Sequence, residues 1–390
     1  MGRFISNYKL QGDKVIWIII FLLSIISLLV VYSSTGTLAY KVKGGNTSYF
    51  LIKQLGLLMF CYVIIWVTHK IPYKYYSSWA NMGLVIAIGM LLLAKIVGVN
   101  LNQASRWIAI PGTGINFQPS ELAKLALILF VSRILSKFQT DRECEKEAFW
   151  KIIAAVVVVC GIIFLDDFST SALLGGICLM LMFIGRIAAK YLLGTMGIGL
   201  GLIIILLIIA PFLPDSFGRI HTVRNRILNF AGMGEKKTDN DRNYQVNQSK
   251  IAVVSGGITG KGPGNSDQRN FLPHPYSDFI YAIILEELGW VGGFGILALY
   301  LFLIYRAGSI VRKCDRTFPA FLVIGLSLSI VAQALTNMAV SVNLIPVTGQ
   351  PLPLVSMGGT SLFFTSAALG MILSVSRSVK EQEEINHAED

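Results

Sequence analysis

The sequence predicts an all-α polytopic integral membrane protein, and three observations carry that prediction. Hydrophobic residues make up 54% of the 390 and the mean hydropathy is +0.64. Charged residues are 14%, against the roughly 25% usual in soluble globular chains. Long apolar runs recur along the chain, and a bilayer-spanning helix needs about 20 such residues. Ten runs qualify, near 15–34, 52–68, 79–98, 119–135, 149–165, 170–186, 192–213, 276–305, 319–341 and 354–376. Asp166 and Asp167 divide the fifth from the sixth. The reading is a single transmembrane domain over 1–390. It has a large extracytoplasmic loop, 214–275, between the seventh and eighth spans and a short, charged, disordered cytoplasmic tail, 378–390.

Lysine and arginine set the orientation. Lys14, Lys70, Lys74, Arg133, Lys137, Arg186, Lys190, Arg306, Arg312, Arg377 and others fall on the side of the N-terminus. The short loops opposite hold Lys41, Lys43, Lys53 and Arg106. This bias places both termini in the cytoplasm, and long segments such as 214–275 cross the membrane despite their charge. The net charge of +11 is therefore read as topology signal and not as a nucleic-acid surface. The five cysteines, at 61, 144, 160, 178 and 314, show neither zinc spacing nor a disulfide framework. The first apolar run has no cleavage site and reads as a retained helix. It ends at Tyr32, which with Trp17 and Trp66 suits an interfacial anchor.

Asn102 to Phe130 places Arg106 and Trp107 in a short outward loop, with Pro119 at a first helical position. Glu121 and Lys124 follow, three apart on one helical face. They read either as a capping carboxylate with its ion pair or as the wall of a polar cavity for a charged headgroup. Asp166 and Asp167, before Ser169, Thr170 and Ser171, read as helix capping or as two of the ligands of a divalent cation.

The long loop opens with GRIHTVRNRILNF. Ile220, Val223, Ile227 and Phe230 recur at helical spacing, predicting an amphipathic interfacial helix. Its basic face, with Arg224, would meet phosphate or the lipid surface. A second short helix is expected over 243–257. The glycine-rich GKGPGNS after it is not a nucleotide P-loop, and its exposed amides suit close approach to a ligand. In the eighth span Asp278 and Glu286 share a face if the helix is continuous. In the ninth, Gln333 and Asn337 are i,i+4, with Asn343 beyond. Leu344 to Ser361 is rich in proline and glycine and predicts non-helical backbone lining a cavity.

Several of these segments carry a family likeness: YSS at 32–34, RWI at 106–108, QPSELAK at 118–124, NYQ at 243–245, SGGITGKGPGNS at 255–266, SDFIYAIILEELG at 277–289 and PVTGQPLPLVSMGGTS at 346–361. Together they resemble the SEDS family (shape, elongation, division and sporulation), the membrane peptidoglycan polymerases of FtsW and RodA type. The family pattern QPDLGT is replaced by DDFST at 166–170, HTDF by YSDF at 276–279, and SYGG by SMGG at 356–359. Asp167 and Asp278 are retained. YSST and TGQPLP look more like the division, FtsW-like branch than the elongation branch.

The resemblance implies ten spans in the bacterial cytoplasmic (inner) membrane, at the division septum. The substrate it implies is lipid II, a disaccharide-pentapeptide on undecaprenyl pyrophosphate. The implied partners are a class B penicillin-binding protein and other divisome proteins. It marks Asp278 as essential for glycosyl transfer. An inverting displacement needs a base near the acceptor 4-hydroxyl and positive charge near the leaving pyrophosphate. Asp278 is the expected base, and Arg106, Lys124 and Arg224 are the expected cations. Glu121, Asp167, Lys261, Glu286 and Ser356 complete the expected substrate contacts. A divalent cation, magnesium or manganese, could share the work, although no metal-binding set is evident. The alternatives are a lipid II flippase, an elongation-type polymerase of the same family, and a non-catalytic scaffold.

Overall fold

In the computed structural model the chain is described over residues 11–36, 38, 47–101, 104–109, 116–141, 145–212, 218–230, 240–273 and 275–389. Arg3, Lys9, Lys41, Lys43 and the middle of the long loop, 231–239, lie outside these residues. The first seven long helices are α1 (Lys14–Ser34), α2 (Thr47–Lys70), α3 (Tyr73–Val97), α4 (Pro119–Asp141), α5 (Glu145–Phe164), α6 (Phe168–Ile184) and α7 (Ala189–Ile209). The long loop contributes α8 (Gly218–Phe230) and α9 (Asn240–Gly256). Then come α10 (Ile280–Val311), α11 (Thr317–Ser341) and α12 (Thr360–Glu389).

Eight of these helices are long and apolar enough to cross a membrane. Two of the ten expected spans, α4 and α6, fall outside that set. The 17 residues of α6 reach about 25 Å at 1.5 Å each, slightly under a typical hydrocarbon thickness. The 23-residue α4 is long enough but carries Glu121, Lys124, Arg133 and Lys137. It is nonetheless central: Ala123, Leu127, Ile128, Val131 and Leu135 are buried, and the helix packs on α3 and α11. Its charges are tolerable because protein, not lipid, surrounds its first turns.

Apolar periodicity sorts the helix faces. In α1, Ile16, Ile20, Leu23, Ser27, Val30 and Val31 point inward at three- and four-residue steps, and Ile18, Phe21, Ile25 and Leu29 face out. An outward face of this kind is stable only against lipid or another apolar surface. Asp13 caps α1, accepting from the amides of Val15 at 2.8 Å and Ile16 at 3.3 Å, and also pairs with Arg306. The opposite extreme is α7, which is almost wholly exposed along its apolar length. The core lies between α11 and α12, which are mostly buried.

Four features depart from the expectations. A small antiparallel sheet, β1 (Val99–Leu101), β2 (Ala104–Ala109) and β3 (Asn116–Phe117), occupies the loop before α4. The eighth span is not one helix from 276 to 305. It begins at Ile280 and breaks at Gly289, whose φ of 66° and ψ of −168° belong to a region open essentially to glycine alone. Asp278 therefore precedes the helix, and its common face with Glu286 is lost. Finally, the expected disordered tail is helical to Glu389. Ion pairs Arg377–Glu381 and Lys313–Glu383 and a bond from Lys380 to the Gly12 carbonyl hold it.

Candidate active site

The site forms where two irregular segments meet α11. The turns at 275–279 precede α10, and the loop from Leu344 to Gly359 is non-helical, as its prolines and glycines predict. Three consecutive carbonyls in the first segment are held. The amide of Met357 donates to Tyr276 O at 3.0 Å, Ser356 Oγ to Ser277 O at 2.7 Å, and Asn337 Nδ2 to Asp278 O at 2.9 Å. Ser356 Oγ also accepts from the Leu352 amide at 2.8 Å, so one hydroxyl serves both segments. The backbone is thereby fixed while the Asp278 side chain stays half-exposed.

The carboxylate of Asp278 accepts one bond at Oδ1, from Ser277 Oγ at 2.8 Å. Among the described residues no cation lies within ion-pair distance of it. Gly349 faces its other oxygen. A Cβ there would lie 3.6 Å from Oδ2, and the φ of +73° is one that side chains rarely adopt. Glycine thus keeps the approach to the carboxylate open.

On the next turns of α11 a second polar group is built. Lys124 Nζ lies 2.8 Å from Glu121 Oε1 and donates to Gln333 Oε1 at 3.0 Å, and both charged side chains are buried. Gln333 Nε2 donates to Pro351 O at 2.9 Å. These residues, with Phe364 and Thr365, line a cavity of about 30 Å³. That volume holds a water or two, and no sugar. The structure joins this pair to Asp278 through Gln333 and Asn337 on one face of α11.

Asp167 caps α6, accepting from the Thr170 amide at 3.1 Å, and its neighbour Asp166 pairs with Lys95 at 2.7 Å. Thr170 Oγ1 in turn receives Gln350 Nε2 at 2.5 Å. Among the described residues no three His, Cys, Asp or Glu side chains converge as metal ligands. Arg224 is half-buried on α8, the amphipathic helix expected from the sequence. Ile220 and Val223 of that helix close an apolar groove of about 630 Å³ against Phe164 of α5, Phe168 of α6 and Leu202 and Leu206 of α7. A second pocket, sharing Phe168, Ala172 and Val223 with it, runs on past Arg226 to Val347 and Thr348, beside Gly349. Arg106 lies in β2, and its side chain is outside the described residues.

Glu286 and Lys261 are elsewhere. The glycine-rich loop after α9 clasps the broken helix backbone to backbone. Lys261 N donates to Glu286 O at 3.0 Å, Gly262 N to Glu287 O at 2.9 Å, and Trp290 N to Gly257 O at 3.0 Å. Gly289 and Gly260 make this approach possible, since a Cβ on Gly289 would meet Ile258 O at 2.3 Å and Gly260 N at 2.4 Å. The fully buried Glu286 carboxylate accepts from Lys261 Nζ at 2.7 Å, from Ser255 and Ser266 hydroxyls, and from the Asp267 and Gln268 amides. Its oxygens are engaged by the loop. Bonds from Asp267 and Glu286 hold the Lys261 ammonium above the ordinary lysine range. Burial, with the Asp278 charge beside it, pushes the Tyr276 phenol up.

Gln333, Asn337 and Gln350 were not assigned a role from the sequence. The available signal was the i,i+4 pair of amides inside an apolar span, which in a membrane helix marks a polar partner.

Fold and site together define a polytopic membrane protein with a half-exposed carboxylate at a loop-lined polar site, approached by an apolar groove. The model of a family described as cell cycle protein, covering FtsW, RodA and SpoVE, matches residues 13–381. The chain belongs to this FtsW/RodA/SpoVE family. A probable peptidoglycan glycosyltransferase FtsW of Geobacter metallireducens is 32% identical, over 96% of this chain and 98% of that one. Stage V sporulation protein E of Bacillus subtilis is 33% identical, over 95% and 99%. Among solved structures, the fold matches Thermus thermophilus rod shape determining protein RodA with a TM-score of 0.66 at 20% identity, covering 94% of this chain and 97% of that one. It also matches a chain from a structural study of polymerization and crosslinking by a peptidoglycan synthase complex. There the TM-score is 0.70 at 22% identity, covering 94% and 98%.

Proposed function

We propose that the protein is a peptidoglycan glycosyltransferase that polymerises lipid II and releases undecaprenyl pyrophosphate. The observation that carries this reading is Asp278: a carboxylate with a fixed backbone, a half-exposed side chain and no ion-pair partner among the described residues. Near-full-length relatives named peptidoglycan glycosyltransferase support it. Asp278 takes the proton of the acceptor 4-hydroxyl as that oxygen attacks the anomeric carbon of the donor. The anomeric carbon–oxygen bond to pyrophosphate breaks on the opposite face, giving inversion. Arg106 and Arg224 steady the leaving pyrophosphate. Lys124 and Glu121, in a cavity too small for a sugar, polarise the site through Gln333, and Ser356 aligns the Asp278 turn. Asp167 acts through Thr170 and Gln350. Lys261 and Glu286 act by anchoring the loop. The apolar groove against α7 suits a polyprenyl chain.

The protein spans the bacterial cytoplasmic membrane ten times, with α4 and α6 as the two short or polar spans, both termini inside and residues 214–275 outside. It works at the division septum with a class B penicillin-binding protein. The alternative is a lipid II flippase, and polymerisation in detergent, where no sidedness exists, distinguishes the two. The test is purified protein with its partner, crosslinking blocked, given labelled lipid II in detergent. Long glycan strands are expected. Lipid II that stays monomeric would overturn the reading. Exterior labelling of Lys236→Cys but not His387→Cys is expected for the topology.

A further inference from the structure

The geometry points to Asn337 as a positioning residue for the catalytic carboxylate, an inference that rests on the glycosyltransferase reading. Asn337 sits in the last turns of α11 and is buried. Its single amide nitrogen donates twice, to Asp278 O at 2.9 Å and to Gln350 O at 2.7 Å. It is thus the point where the turn carrying the base and the loop facing it are pinned to one rigid helix. The other two ties on the Asp278 turn come from Ser356 and Met357, which belong to that same loop. Without Asn337, turn and loop would still hold each other, and Gln333 and Thr170 would still tie the loop to the bundle, but the Asp278 carbonyl would lose its bond to α11.

Among the described residues Asn337 Oδ1 has no hydrogen-bond partner, and the donor end is spent on the residue that performs the chemistry and on the loop facing it. No side chain caps the start of α10 at Phe279. The position of Asp278 is therefore not inherited from a regular helix start.

A displacement of about 1 Å at a reacting group can cost on the order of 100-fold in rate. Asn337→Asp preserves size and replaces the donor with oxygens facing two carbonyls. The expected result is a fall in kcat for lipid II polymerisation of about 10- to 100-fold, with KM changed less than about threefold, because Asn337 is assigned no substrate contact. Thermal stability in detergent should fall, because two buried carbonyls lose their donor, while association with the partner should stay near wild type. Ser249→Ala provides the contrast: it removes a buried hydrogen bond to the end of the same helix, from Ser249 Oγ to Ser341 O at 2.6 Å, and leaves the Asp278 tie intact. Its kcat should stay within about threefold of wild type.

A wild-type kcat for Asn337→Asp overturns the inference, as does an equal loss in Ser249→Ala or a loss expressed mainly in KM. If Asn337→Asp fails to fold, Asn337→Ser, smaller and without the amide donor, takes its place with the same outcomes. Wild-type protein inactive on lipid II would instead defeat the parent reading.

Discussion

Asp278 and Glu286 lie eight residues apart in one stretch, and their surroundings differ completely. Glu286 is fully buried, paired with Lys261 and bonded by two hydroxyls and two backbone amides. Asp278 is half-exposed, and its carboxylate meets only a neighbouring serine among the described residues. In the second case the protein grips the backbone and leaves the side chain available. A carboxylate whose oxygens are all engaged is a structural anchor, and one held by its main chain is poised to accept a proton. The late helix start at Ile280, between the two residues, separates the two tasks.

The comparison breaks most sharply at the base. Asp278→Asn should lower polymerisation of labelled lipid II by about 10²–10⁴-fold, with binding and folding retained. Near-normal turnover would remove the difference between the carboxylates. Equal loss of binding and turnover would make Asp278 a substrate ligand, with the base elsewhere.

Gly289→Ala should act on the clasp instead. A methyl group would meet backbone atoms at 2.3–2.4 Å in a left-handed conformation, so the loop and helix must part. The strain alone costs about 1–3 kcal/mol, read as a lower melting temperature in detergent. Unchanged stability would show that the two segments are not held backbone to backbone.

Glu286→Gln should be milder. Replacing a buried charged acceptor by an amide weakens bonds worth about 1.5–3 kcal/mol each when charge-assisted, with partial compensation by the amide oxygen. Stability should fall, and turnover per folded molecule should drop severalfold at most. A loss as deep as that of Asp278→Asn would place Glu286 in the chemistry.

The smallest effect concerns Lys261 and its pH dependence. Its ammonium is held above the ordinary lysine range by Asp267 and Glu286. The contribution is therefore complete below the unfolded lysine value and is lost as pH rises through the folded one. Asp267, lowered chiefly by its bond to Lys261, contributes above its unfolded value and loses this as pH falls through the folded one. Melting temperatures should thus be flat around neutrality, with Lys261→Met removing a slight decline at strongly alkaline pH. A Lys261-dependent slope near pH 7 would contradict this pairing.

By itself the sequence determined the membrane class, the approximate positions of the long helices and the amphipathic α8, because length and apolar periodicity are local properties read from neighbouring residues. It also marked Asp278, Glu121 and Lys124, since carboxylates and ammonium groups inside apolar runs are costly without a purpose. It could not separate Asp278 from Glu286, because a linear spacing of eight presumes a continuous helix, and the helix starts only at Ile280, after a turn held by Asn337, Ser356 and Met357 from distant segments. Nor could it show that Asn337 ties Asp278 to Gln350, 59 and 13 residues away in the chain. The tail through Glu389 was polar enough to read as disordered, and its helix is held by Lys313, Gly12 and its own ion pairs. Tertiary structure decided these points because hydrogen bonds and close backbone contacts form between segments distant in sequence, and no local pattern records which carboxylate will be left free.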